Sequence, residues 1–350
     1  MNTENNHGRG VAESRSRGVE VHGSRLVIAI VITLIVLVVA IALSLSVGKV
    51  AGGFFDPTVM RLRLFRLAAG LLAGATLAVS GVLMQGLFRN PLASPSVAGV
   101  TAGAALGAQL ALLMHGLAGA GVVLFLPREF WLPVGGFAGA LAALLVLLAL
   151  VRRTGSDLTQ VLLIGMVLSI LCGSLSGFVL AIGNNSYELG RALVAFGLGG
   201  LDASSPATLV ACLPLALLGL GAAYGWGRPL DLMLSGETEA RALGVDVEVV
   251  RRWVLAWTAL LATTAVVLGG GVSFVCLVVP NLLRAWIGPA HRPLVVLSAL
   301  GGAAFLTLAD ACARIFATAS GEIPLSVITG LVGAPFFLWF FRRERHAGRI

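Results

Sequence analysis

The sequence predicts an all-α, polytopic membrane protein built from about ten transmembrane helices, and three observations carry that expectation. Hydrophobic residues make up 58% of the 350 residues and charged residues only 11%, with a mean hydropathy of +0.97. A soluble domain of ordinary composition carries about a quarter charged residues, so this chain lacks the polar surface that water requires. Long apolar runs such as Leu26–Val47, Val134–Val151 and Leu209–Gly225 recur along it, each near the roughly 20 residues that cross a bilayer as a helix. The runs do not alternate with a period of two. A closed barrel is thereby set aside, and helices remain as the fold that satisfies every backbone group within its own segment.

Taken in order, residues 1–25 are polar and rich in Gly, Ser, Asn and Arg, which reads as a disordered tail. The run 26–47 is too long for the apolar region of a signal peptide and is expected to persist as the first span. Further spans are expected at 64–86, 96–115, 131–151, 158–182, 205–226, 252–268, 272–288, 294–315 and 325–341. Together 26–343 form the membrane domain, 228–250 its one sizeable polar loop, and 344–350 a short tail. Asn90-Pro91 and Pro95 break the second span from the third, whereas Gly269–Gly271 separates the seventh and eighth only thinly. Glycines four apart, Gly70/Gly74, Gly99/Gly103/Gly107, Gly135/Gly139 and Gly173/Gly177, suit close helix–helix approach. Cys172, Cys212, Cys276 and Cys312 lie inside apolar runs with no CxxC or Cys/His spacing and read as small core residues.

Charge orients the bundle. With the N terminus inside, the cytoplasmic positions collect Arg9 to Arg25, Arg89, Arg152, Arg153, Arg228, Arg241, Arg251, Arg252, Arg284, Arg292 and Arg342 to Arg349. The opposite side holds Lys49, Arg61, Arg63, Arg66, Arg128, Arg191 and Arg314. The basic excess inside puts both termini in the cytoplasm and demands an even number of spans. The net charge of +8 is thus topological. No basic face interleaved with aromatics suggests nucleic acid.

Three polar stretches stand out. Arg89, Asn90 and Pro91 form a corner at the cytoplasmic end of the second span, read either as a tight loop or as a fixed corner beside an inner gate. In the loop 228–250, Ser235 is expected to cap a short helix, Glu237 and Arg241 to pair at i,i+4, and Gly244 to sit just past its end. Asp246 is expected to start another helix, which leaves two short helices at the membrane surface as a docking platform. On the far side, Arg63, Arg66 and Arg314 oppose the orientation rule. Acidic groups on an external protein, headgroup snorkelling, and pairing of Asp310 with Arg314 are all open explanations.

No GxxxxGK[ST] is present, and the sole lysine, Lys49, is followed by Val50, so this chain cannot build a P-loop. An HExxH motif and a nucleophile–base constellation are likewise missing. An ion-coupled secondary transporter would need a buried carboxylate, for which Asp310 is the candidate. A membrane receptor or scaffold is the third class.

The stretches SGVLMQGLFRNPLASPSVAGVTAGAALGA (Ser80–Ala108), LSGETEARALGV (Leu234–Val245), GGGVSFVCLVVPNLLR (Gly269–Arg284) and GEIPLSVITGLVGAPFF (Gly321–Phe337) resemble the FecCD-type permeases. These are membrane subunits of binding-protein-dependent ABC importers for ferric siderophores, haem and cobalamin. The resemblance implies a dimer of ten-helix subunits in the bacterial inner membrane, with the path at the subunit interface. It implies two cytoplasmic ATPases that carry ATP and Mg, and a periplasmic or lipid-anchored binding protein outside; no cofactor is expected on this chain. It maps Ser235, Gly236, Glu237, Glu239, Arg241 and Gly244 onto the ATPase-coupling loop, and Arg63, Arg66 and Arg314 onto the surface that meets binding-protein carboxylates. Arg191 is a candidate ligand contact, or part of a short re-entrant helix over Tyr187–Gly199. Three positions depart from the family pattern: Asn281 replaces a histidine, Phe65 replaces the proline of RLPR, and the segment equivalent to ELP follows Arg314 one residue late. The expected cargo is haem or a ferric siderophore, with cobalamin next.

Overall fold

A computed structural model describes residues 4–47, 56–118, 128–154, 158–201, 205–317 and 322–346. All the regular structure in them is helical. In order come α1 (Glu4–Ser46), α2 (Pro57–Phe88), α3 (Val100–Ala118), α4 (Trp131–Thr154), α5 (Leu158–Gly183), α6 (Tyr187–Leu198) and α7 (Pro206–Gly225). Then follow α8 (Gly227–Met233), α9 (Glu237–Ala242), α10 (Val247–Gly269), α11 (Val275–Ile287), α12 (His291–Ile315) and α13 (Leu325–His346). Among the described residues, 8 helices are long and apolar enough to cross a membrane, and the shorter apolar helices Val275–Ile287 and Leu325–Leu338 complete the set.

The centre of the bundle is α2. In its most apolar window 83% of residues are buried, against 17% in α1, so α2 is sheathed by protein and α1 lies at the periphery. Asp56 caps its start, accepting a hydrogen bond from the Thr58 amide at 2.8 Å, and Pro57 occupies the first helical position, where a missing N–H costs nothing. Where α2 crosses α12, a Cβ on Gly74 would collide with the carbonyl oxygen of Gly302, and one on Gly302 with that of Gly74. The same holds between Gly107 on α3 and Gly135 on α4. In lipid, where apolar burial does not drive helices together, such backbone-to-backbone contact is the main attraction. Gly173 and Gly177 on α5 behave differently: among the described residues, nothing lies within 4 Å of a Cβ at either.

The structure corrects the expected boundaries at the start of the chain and in the middle. The segment expected to be a disordered tail continues α1 back to Glu4. No proline interrupts residues 4–46, and extending an existing helix is far cheaper than nucleating one. The span expected at 252–268 starts earlier, at Val247, because Asp246 accepts from the Val249 amide at 3.1 Å and caps the long helix itself. The span expected at 272–288 is a helix of 13 residues, about 20 Å long and short of the roughly 30 Å hydrocarbon core. Gly270 at φ 67° and Phe274 at φ 67° hold the chain before it out of helical geometry.

That irregular stretch is tied down by backbone bonds. The Gly271 amide donates to the Phe196 carbonyl, the Gly200 amide to Gly269, and the Leu325 amide to Gly199, as non-helical backbone at membrane depth requires. Within α11, Pro280 cannot donate to the Cys276 carbonyl. Gln85 from α2 does so instead, at 3.1 Å. The four cysteines are free, three of them buried, in line with the core reading.

Replacing Gly74 with leucine is expected to lower the stability of the detergent-solubilised chain by at least about 1–3 kcal/mol, the usual cost of overpacking. Gly173→Leu should leave the isolated fold unchanged. Thermal unfolding of both variants checks the contrast.

Candidate functional site

One end of the bundle gathers α8, α9, the start of α10, the start of α12 and the corner after α2. The α9 helix has six residues, too few to persist without capping. Gly236 enters it at φ 132°, a conformation open to glycine, and serves as the N-cap. Ser235, expected to cap, is displaced by one residue and makes no side-chain cap bond. The exit follows the expectation: the Gly244 amide donates to Arg241 and the Val245 amide to Ala240, a Schellman closure with Gly244 at φ 85°.

The expected Glu237–Arg241 pair sits at 4.0 Å, with Arg241 largely in solvent, and adds little. Glu237 is instead held by Arg251 of α10 at 3.0 Å, where the arginine side chain is only 5% exposed; Glu248 reaches the same arginine at 3.4 Å. This clamp, which fixes α9 to a long helix, was not legible from spacing alone. Glu239 and Arg241 are exposed, as is Leu243 at 64%. An uncovered leucine on a short, well-fixed helix is open to contact from outside the chain.

Behind α9, Asp231 of α8 accepts from the His291 backbone at 2.9 Å and bonds its Nδ1 at 2.7 Å. His291 is buried against Gly86, near the end of α2. Burial pushes the Asp231 carboxyl up, but the bonds from His291 and the charges of His291 and Arg292 outweigh this and hold it below its ordinary value. The neighbouring Arg292 guanidinium lies 5.2 Å from the Tyr224 ring.

The corner completes the assembly. Arg89 takes a left-handed conformation, φ 48° and ψ 33°, and closes α2. Asn90 accepts from the Leu92 amide at 2.8 Å, and the Pro91 carbonyl accepts from Asn281 of α11 at 2.8 Å. The corner is therefore fixed to α11, and Asn281, 2% exposed, acts there as an amide donor. A chain of direct contacts runs from α9 through α8, His291 and α2 to the corner and α11.

At the opposite end the three outer arginines converge, but their charge is spent inside the chain. Arg66 bonds Asp310 at 2.7 Å and Glu322 at 2.6 Å. Arg314 bonds Asp310 at 3.0 Å and the carbonyls of Ser44 and Val47 at the end of α1. Arg63 donates to the Leu45 carbonyl at 2.7 Å. The Asp310–Arg314 pairing left open by the sequence is present, and Asp310, 1% exposed, lies between two guanidiniums, the setting of a structural counter-ion. Arg191 projects from the exposed face of α6, apart from this network.

Between these ends lies a cavity of about 530 Å³, within the range of small-molecule sites. Hydroxyls of Ser96, Thr101, Ser169 and Ser273 and the side chains of Leu77 and Phe274 contribute to its lining, and no charged residue does. It was not foreseen, because its walls come from distant segments. Among the described residues no group of three or more His, Cys, Asp or Glu could hold a metal.

Asp231→Asn is expected to cost roughly 1.5–3 kcal/mol at neutral pH, the worth of hydrogen bonds to a charged group. The folded carboxyl titrates below its ordinary 3.8, so its contribution is complete above that value and is lost as pH falls through the lowered one. Unfolding of wild type and variant at neutral and acidic pH should show the gap closing in acid.

Comparison with known proteins agrees with this architecture. The chain is 38% identical over 282 residues to a cobalamin import system permease protein of Halobacterium salinarum, covering 80% of this chain and 72% of the relative. It is 37% identical over 299 residues to a hemin transport system permease protein of Yersinia pestis, covering 82% and 83%. It is 36% identical over 289 residues to an Fe(3+) dicitrate transport system permease protein of Escherichia coli K12, covering 82% and 86%. A solved structure, the inward-facing conformation of a metal-chelate type ABC transporter, superposes with a TM-score of 0.79 at 29% identity, over 92% of this chain and 99% of the other. Residues 25–343 match the FecCD transport family, and the chain, a multi-pass permease of the ABC-importer type, belongs to that family.

Proposed function

We propose that this chain forms the path by which an ATP-driven importer moves a chelated metal, haem or a ferric siderophore first and cobalamin next, across the bacterial inner membrane. The observation that carries the reading is α9, a short helix capped at both ends, clamped to α10 by Glu237–Arg251 and presenting Glu239, Arg241 and Leu243 outward. Two ATPase subunits, which hold ATP and Mg, engage this helix together with Ser235, Gly236 and Gly244. Their motion passes through Asp231–His291 to α2 and the corner Arg89–Asn90–Pro91, which acts as the inner gate. The 530 Å³ cavity supplies this subunit's share of the path. Its uncharged, hydroxyl-bearing wall suits a bulky ligand whose charge is enclosed by its own chelating groups.

A second copy packs against α5, whose Gly173 and Gly177 face open space, and membrane lipid covers the remaining apolar face. The external binding protein docks over Arg63, Arg66 and Arg314. Because these arginines are held by Asp310, Glu322 and the end of α1, incoming carboxylates exchange with internal ones. Arg191, exposed on α6, meets an acidic group of the ligand. The cargoes named for the relatives, cobalamin, hemin and ferric dicitrate, are all chelated metals.

Arg241→Glu combined with Leu243→Asp is expected to weaken co-purification of the partner ATPase by at least roughly tenfold, equivalent to about 1.4 kcal/mol, without shifting thermal unfolding of the permease. Undiminished assembly would remove α9 as the coupling element.

A further inference from the structure

We infer that the groove between α4 and α10 is a binding site for an anionic phospholipid. Two adjoining features define it. At the α9 end of the bundle, a cleft of about 300 Å³ is lined by Leu148, Val151 and Arg152 of α4 and by Arg251, Arg252 and Leu255 of α10, with Glu248 at its edge. Further along the same two helices, an almost wholly apolar groove of about 320 Å³ is lined by Phe137, Leu141 and Leu144 of α4 and by Trp253, Trp257 and Leu260 of α10. Phe137, Leu141, Leu144, Leu148 and Val151 recur at helical spacing, so one stripe of α4 serves both.

Charge selects the headgroup. The cleft brings three guanidiniums together, and among the described residues Glu248 and, through Arg251, Glu237 pair with them. Arg251 is committed to that clamp. Arg152 and Arg252 are exposed, and the Arg252 contact is a 3.3 Å bond from Nε to the Glu248 backbone carbonyl, which spends no opposite charge. The surplus is positive. A lipid phosphate with no compensating ammonium matches it, and basic pockets between transmembrane helices are suited to such headgroups. A zwitterionic lipid brings its own cation and gains less.

Length selects a lipid over a free anion. From Arg152 to Leu141 is 11 residues of α4, about 16 Å, close to the roughly 15 Å depth of one leaflet's hydrocarbon. A phosphate at Arg152 and Arg252 therefore leaves an acyl chain in register with the groove. Trp253 and Trp257, stacked with ring centroids 6.0 Å apart, stand where amphipathic rings favour the membrane boundary. An acidic protein segment would use the cleft and leave the groove unfilled.

The test places the full-length chain in bilayers in which either phosphatidylglycerol or phosphatidylcholine carries brominated chains, and reads tryptophan quenching. The contribution of the pair is isolated by difference from W253F/W257F. Brominated phosphatidylglycerol should quench the pair preferentially, and R152Q/R252Q should reduce the preference by about fivefold per arginine. R152K/R252K should retain it, since phosphate binding at this exposed site depends on charge. Equal quenching by the two lipids, or an undiminished preference in R152Q/R252Q, would overturn the site. Displacement by millimolar inorganic phosphate would reassign the cleft to a free anion. Loss of the preference once the ATPase binds would reassign it to the protein interface.

Discussion

Inside a bilayer no water completes the hydrogen bonds of the chain, so each polar group has to meet its partner within the protein. The fold depends on this constraint more than on any apolar contact. It explains why Gln85, on the most buried helix, reaches across to the Cys276 carbonyl that Pro280 leaves without its helical donor. It explains why the glycine-rich breaks at Gly199–Gly200 and Gly269–Gly271 bond to one another. The arginines at the far end likewise cap the carbonyls of α1 and share Asp310. Breaking such a pair leaves a buried charge without a partner, a cost of several kcal/mol, so these contacts specify which helices are neighbours.

Close packing supplies the complementary half. With Gly74 and Gly302 backbone to backbone, α2 and α12 approach to a distance that larger residues forbid. Both helices then run the length of the bundle as rigid elements. At one end they are locked by Arg66–Asp310, at the other by His291 lying against Gly86 while bonded to Asp231. A displacement of α8 and α9 has little slack through which to dissipate, because each joint is a short hydrogen bond or a glycine contact. This makes the proposed coupling route mechanical and local.

Much of this was legible in the sequence, and the limits have physical causes. Hydropathy marks spans well because a helix in lipid must be apolar over a known length, and the polar punctuation of α9 was readable because caps are local. Gly244 fell where expected, Asp246 caps the long α10 in place of a second short helix, and Ser235 missed by one position because Gly236 takes a backbone angle that suits glycine. The Arg251–Glu237 clamp and the Arg66–Asp310 bridge join residues 14 and 244 positions apart, and no periodicity in one segment encodes a partner in another. The brevity of α11 was hidden for a similar reason: the run 272–288 is apolar throughout, and its non-helical start follows from the angles of Gly270 and Phe274. The cavity, walled by several distant segments, left no single motif.

The proposed import cycle, in which ATP hydrolysed by partner subunits drives a chelated metal through this chain, can be tested directly. The most direct measurement is uptake of radiolabelled haem, a ferric siderophore and cobalamin into proteoliposomes holding the chain with its cognate ATPase and binding protein. Accumulation of one of these ligands is expected to require ATP and to cease when the ATPase is omitted. Accumulation without ATP would contradict it and point to ion-coupled transport.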